Sequence, residues 1–164
     1  MTALRRITEV HGPDSEFIQE LACIFCSARE ERLRFLMDLH NVEEDRRFLS
    51  GVVLPANQVW VAEANGKVAG FIAFEDGWVN HLYIAPEFQR LGFGRQLLNI
   101  AKESSRALQL WVFEINVPAI RFYESQGFGV IERTNGAANE AKMPDVLMEW
   151  RSLPLKSPPS DRQN

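Results

Sequence analysis

The chain has 164 residues, 46% of them hydrophobic, which is the length of one ordinary domain and enough apolar surface for one substantial core. Acidic residues outnumber basic ones, 22 to 18, and a formal charge of -4 argues against broad electrostatic binding of nucleic acid or of an anionic membrane. No apolar run follows Arg5 and Arg6 or is long enough elsewhere to span a bilayer, and Cys23 and Cys26 are the only cysteines, so the expected compartment is the cytoplasm.

A first strand is expected over Leu4 to Glu9, followed by a turn at Gly12, Pro13, Asp14 and Ser15. Phe17, Ile18, Leu21, Ile24, Phe25 and Ala28 then recur at helical spacing. The pair Cys23 and Cys26 falls in the middle of that helix, where packing is the expected role and no metal site is expected. Asn41 with Glu44 three residues on reads as a capping box opening a short second helix, which Gly51 and Pro55 are expected to close. The acids Glu43, Glu44 and Asp45 fit a solvated first turn.

Three strands follow, Val59 to Ala64, Val68 to Phe74 and Trp78 to Ile84, the first two joined by the hairpin signal Asn65-Gly66. After Pro86 the pattern turns helical, with Phe93, Leu97, Leu98, Ala101 and Ser105 on one side. A strand at Leu108 to Phe113, a helix opened by Asn116 and Pro118 and stopped at Gly127, and strands at Phe128 to Thr134 and Val146 to Trp150 complete the order β-α-α-β-β-β-α-β-α-β-β. This predicts an α/β (α+β) domain over residues 1–151, a mixed sheet covered by helices, with a disordered tail over 152–164.

The stretch Leu82-Tyr83-Ile84-Ala85-Pro86-Glu87-Phe88-Gln89-Arg90-Leu91-Gly92-Phe93-Gly94-Arg95 runs from a strand through a turn into a helix. Backbone N–H groups at a helix N-terminus suit a phosphate, and Gly92 and Gly94 would let an anion approach without interference from a Cβ. Arg90 and Arg95 add positive charge beside the turn. The Walker spacing and G-x-G-x-x-G are both absent.

Gln89-Arg90-Leu91-Gly92-Phe93-Gly94 after Ile84-Ala85-Pro86 resembles the acetyl-CoA signature of the GCN5-related N-acetyltransferase (GNAT) family, Q/R-x-x-G-x-G/A. Asn116 to Ala119, Phe122-Tyr123-Glu124 and Gly127-Phe128 are similar to the family's second motif. The resemblance implies a mostly antiparallel sheet of about seven strands with four helices. Its central strands splay to receive the pantetheine arm of acetyl-CoA at Leu82, Tyr83 and Ile84. Gln89, Arg90, Leu91, Gly92, Phe93, Gly94 and Arg95 would hold the pyrophosphate, and Asn116, which also suits a helix N-cap, would bond the cofactor near the arm. Tyr123 matches the tyrosine that protonates the departing thiolate in many members.

The implied reaction is direct attack of a neutral amine on the thioester, with an N–H near Leu82 stabilising the oxyanion. Where some members carry a glutamate base on the fifth strand, this chain has Trp111. His81, Glu75, Glu114 or a water held by Asn80 are candidates for that task, and alternation puts Asn80 on the face of Leu82 and Ile84 with His81 opposite. His11 and His40 have no local partner pattern. The loop Asn135 to Asp145, with Asn139 and Glu140, and the acids Glu43 to Asp45 are candidate acceptor walls. A small-molecule amine is the first-choice acceptor, with a peptide N-terminus or a lysine side chain open. The rival functions are a silent acyl-CoA-binding module and a dinucleotide oxidoreductase, and a homodimer would suit exposed sheet edges.

Overall fold

Alternating apolar residues in the middle of the chain form an antiparallel meander of β2 (Gln58–Ala64), β3 (Lys67–Glu75) and β4 (Trp78–Ile84). The computed structural model describes residues 1–34 and 39–154, and the expected tail beyond 154 lies outside them. Asn65 and Gly66 have φ values of 53 and 76°, the two positive angles that a tight hairpin turn matching the strand twist requires. β1 (Thr2–Ile7) pairs with β2 from Thr2 against Ala64 to Ile7 against Val59. The strand thus starts two residues earlier than expected. Glu9 would face Asn57, which precedes β2 and instead donates from Nδ2 to Val53 O at 2.8 Å.

α1 (Glu16–Arg32) is capped by Ser15, whose Oγ accepts from Ile18 N–H at 3.2 Å. α2 (Val42–Phe48) opens on the expected capping box: Glu44 N–H donates to Asn41 Oδ1 at 2.9 Å, and Asn41 N–H to Glu44 Oε2 at 3.0 Å. The helix does not stop at Gly51. A widened turn over Leu49–Val53, in which Leu54 N–H reaches Leu49 O, carries it into α3 (Leu54–Ala56). Pro55 cannot donate backward and its ring crowds the preceding turn, which the extra residue in that turn relieves.

α4 (Phe93–Glu103), β5 (Ala107–Phe113), α5 (Val117–Ser125), β6 (Gly129–Thr134) and β7 (Asp145–Arg151) complete a seven-stranded sheet ordered β1-β2-β3-β4-β5-β7-β6. With four helical bodies among the described residues, this is the expected α/β architecture. One face of the sheet packs Phe93, Leu97, Leu98 and Ala101 of α4 and Tyr123 of α5 against Ile72, Phe74, Leu108, Leu110, Val112 and Met148. The other packs Ile18, Leu21, Ala22, Ile24 and Phe25 of α1 and Leu49 and Val53 against Val59, Val61, Phe71 and Ala73. Each fully buried leucine contributes about 1.5–3 kcal/mol.

Candidate functional site

Every neighbouring strand pair is antiparallel except β4 and β5, which are parallel and meet only at Trp78 and Gln109. Beyond that point the strands part, giving the expected splay. Ala85 N–H donates to Ala69 O at 2.8 Å, so Ala69 and Ala85 are a hydrogen-bonded pair. Alternate positions of an antiparallel ladder bond alike, so Tyr83 turns its backbone toward β3. Leu82 and Ile84, opposite Ile72 and Gly70, turn theirs into the opening. Gln89 reaches back to the same edge, its Nε2 donating to Ile84 O at 3.3 Å.

The turn after β4 begins with one tight helical turn at Pro86–Phe88 and passes through Arg90 at φ 62° and Gly92 at φ 90° before α4. A left-handed angle of this size strains an L side chain, which accounts for glycine at 92. Gly94 is glycine for another reason. A Cβ there would lie 3.3 Å from Phe122 Cζ and 3.8 Å from Ile84 Cγ1, so its bare face is turned to α5 and the end of β4. Gln96 N–H makes the first intrahelical bond, to Gly92 O at 3.1 Å. The N–H groups of Phe93, Gly94 and Arg95 therefore have no acceptor within the helix. Arg90 and Arg95 are exposed beside them. A helix start with unpaired donors and two flanking guanidinium groups fits a diphosphate.

Tyr123 lies on the α4–α5 side, in contact with Phe122 (ring centroids 5.2 Å apart) and Phe128 (5.5 Å). Burial first, and the nearby Tyr83 second, push its phenol well above the usual range, so it stays protonated. Asn116 caps α5, its Oδ1 accepting from Ala119 N–H at 3.4 Å.

On the opposite face His81 packs edge-to-face against Phe25 (5.9 Å) and Phe48 (5.7 Å) and stacks on Tyr83 (6.2 Å). Burial lowers its pKa to about 4, and its Nδ1 is buried without a hydrogen-bond partner. Burial also pushes Tyr83 up to about 12, with Arg29 lowering it and Asp45 raising it by smaller amounts. Trp111, on the far side of the opening, is 46% exposed, and no residue of β5, β7 or β6 joins the α1-side core. On this face Phe48 and His81 thus lie on the β4 side of the opening and Trp111 on the β5 side.

Several expectations change here. The register slips between Ala73 and Phe74, leaving Asn80 as the extra residue of a bulge. Val79 and Leu82 then face the same core, and Asn80 does not continue the face of Leu82 and Ile84. Its Nδ2 donates to Asn57 Oδ1 at 2.8 Å and Glu75 Oε1 at 2.9 Å. Asp45 is not solvated: it is 3% exposed and ion-paired with the equally buried Arg29. His40 does have partners, Glu44 Oε2 at 3.6 Å and Glu140 Oε1 at 3.1 Å. The imidazole thereby joins the first turn of α2 to the loop Asn135 to Asp145, the two segments expected to wall the acceptor. Both cysteines are free on α1, and no helix is long and apolar enough to cross a membrane among the described residues.

Residues 55–130, which hold the meander, the turn and α5, match the acetyltransferase (GNAT) domain family. Over that segment the chain is similar to the GNAT acetyltransferases. It is 33% identical over 94 residues to the peptidyl-lysine N-acetyltransferase YiaC of Escherichia coli (strain K12), a match spanning 57% of this chain and 63% of YiaC, just under two thirds of its length. It is 29% identical over 117 residues to the peptidyl-lysine N-acetyltransferase YjaB of the same organism. The apo-form solution structure of Escherichia coli YjaB superposes with a TM-score of 0.68 and 26% identity, covering 91% of this chain and 97% of that one. The PaiA N-acetyltransferase of Thermoplasma acidophilum, in complex with coenzyme A, shares the fold at a TM-score of 0.64 and 19% identity over 93% and 99% of the two chains. Across the curated relatives the matches span 41–78% of their lengths.

Proposed function

We propose that this chain is an N-acetyltransferase that moves an acetyl group from acetyl-CoA to a primary amine by direct attack. The observation that carries the reading is the β4 edge at Leu82 and Ile84, which pairs with no strand on the β5 side and ends against a helix start whose first N–H groups have no acceptor within the helix. The N–H groups of Phe93, Gly94 and Arg95, with Arg90 and Arg95, hold the diphosphate, while Leu91 flanks the turn. Leu82 and Ile84 pair with the amide-bearing arm as a sheet edge pairs with a peptide. Asn116 bonds the arm from the start of α5.

Acetyl-CoA supplies an acyl group on a sulfur leaving group. Leu82 N–H, aimed into the opening, stabilises the oxygen that becomes negative as the amine adds. Tyr123, kept neutral by burial, donates to the departing sulfur, whose conjugate acid has a pKa of about 8.5. No protein nucleophile is needed. The names of YiaC and YjaB favour the ε-amine of a peptidyl lysine over a small-molecule amine as acceptor. Either acceptor would approach from the α1 face, where His81 and Trp111 lie on the two sides of the opening.

The test follows thiol release from acetyl-CoA with polyamines, amino acids, blocked lysine peptides and free peptide N-termini as acceptors. Turnover is expected on at least one class, together with a rise in Tm with CoA but not with NAD(P). Gly92→Val, at φ 90°, should weaken CoA binding strongly. Tight CoA binding with no turnover on the whole panel would instead make the chain a silent binding module.

A further inference from the structure

Four groups are candidates for taking the proton of the attacking amine, and the fold separates them. Glu75 lies opposite Trp78, at the closed end where β4 meets β5, and already accepts from Asn80. Asn80 is spent on Glu75 and Asn57. Glu114 follows β5 and is ion-paired with Arg133 at 2.7 Å. His81 alone adjoins Leu82, whose N–H faces the opening. It projects to the α1 face, while Tyr123 and the α4 N-terminus lie on the other. An acyl donor held at α4 and α5 leaves the α1 face for the acceptor.

We infer that His81 is the base of this reaction, accepting at Nε2 the proton that the amine sheds as it attacks. This rests on the proposed function. Nδ1 is sealed in without a partner, so Nε2 is the ring nitrogen left to meet a ligand. Accepting a proton at Nε2 requires the neutral tautomer with its hydrogen on Nδ1 and its lone pair on Nε2.

The nitrogen lone pair forms the C–N bond while the carbonyl π pair moves to oxygen beside Leu82 N–H. Nε2 takes the N–H proton, the C–S bond breaks as the oxygen pair returns, and the sulfur takes a proton from Tyr123. His81 then releases its proton to solvent, from which the tyrosine is reprotonated. Among the described residues, Tyr83 on the same strand stacks on His81, and the Arg29–Asp45 pair between α1 and α2 acts on Tyr83. Burial keeps the resting imidazole neutral down to about pH 4. The negative oxygen formed in the opening then favours its protonation.

His81→Gln and His81→Ala are compared with the parent on whichever amine of the panel the parent acetylates. If the parent acetylates none, the proposed function falls and this assignment with it. If it does, His81→Gln is expected to lose kcat by about 100-fold or more, with CoA affinity within about twofold of the parent. Free imidazole should restore part of the His81→Ala rate, since that truncation empties a site of its own shape. A kcat within about threefold of the parent overturns the assignment, and so does a loss of rate matched by equal losses in CoA affinity and Tm, which would mark a packing role.

Discussion

Replacing Gly70 by alanine tests whether the placement of β4 governs both stability and turnover. A Cβ at Gly70 would come 2.6 Å from Tyr83 O and 2.5 Å from Ile84 Cδ1. The isoleucine methyl can swing aside, but the carbonyl belongs to the strand. To restore an ordinary contact β4 must move by about 0.8 Å, away from β3 and into the opening. Overpacking of this kind costs about 1–3 kcal/mol, or a fall in Tm of about 2–4 °C per kcal/mol for a domain of this size. Leu82 and Ile84 move with the strand, and a misplacement near 1 Å costs about 100-fold in rate. Thermal unfolding and thiol-release kinetics on Gly70→Ala read both effects. Gly51→Ala is the control: nothing lies within 4 Å of its Cβ, and in a helix the change should gain about 0.5–1 kcal/mol. A Gly70→Ala protein with the parent's Tm and kcat would refute the idea that this close approach positions the edge.

Tyr123→Phe should lower kcat by about 10-fold or more while CoA affinity stays within about twofold, and an equal kcat would remove the phenol from the mechanism. Asp45→Ala strands the buried Arg29 charge and should cost about 3–5 kcal/mol in urea unfolding. Arg29→Met combined with Asp45→Leu should cost much less, and a double variant as unstable as the single would contradict the charge argument. His81 binds its proton near pH 4 when folded and at 6.5 when unfolded, so the unfolded chain binds more protons between those values. Stability present above pH 6.5 is lost as pH falls to 4, by about 3 kcal/mol from this group. His81→Gln should flatten that part of the stability profile, and an unchanged slope would show that the imidazole titrates normally.

Local signals were legible where chemistry is local. The capping box at Asn41 and Glu44, the hairpin at Asn65-Gly66 and the glycine start of α4 depend on residues within a few positions of one another. Interactions across the chain were not. Asp45 sits among acids that suit solvent, and only the packing of α2 on α1, 16 residues back, brings Arg29 to it. His40 finds Glu140 across 100 residues. The bulge at Asn80 left no mark because a run of strand residues does not record its partner's register. Pro55 misled for a physical reason: proline ends a regular turn, and a widened one accommodates it.

The last strand in the chain, β7, lies between β5 and β6. Since β5 touches β4 at one point, nearly all of its ladder comes from β7, from Ala107 against Arg151 to Phe113 against Asp145. A nascent chain on the ribosome can zip the β1–β4 meander early. The second jaw of the cleft has nothing to lean on until Asp145–Arg151 has emerged. A chain stopped before Asp145 would hold one jaw of the site and no counterpart.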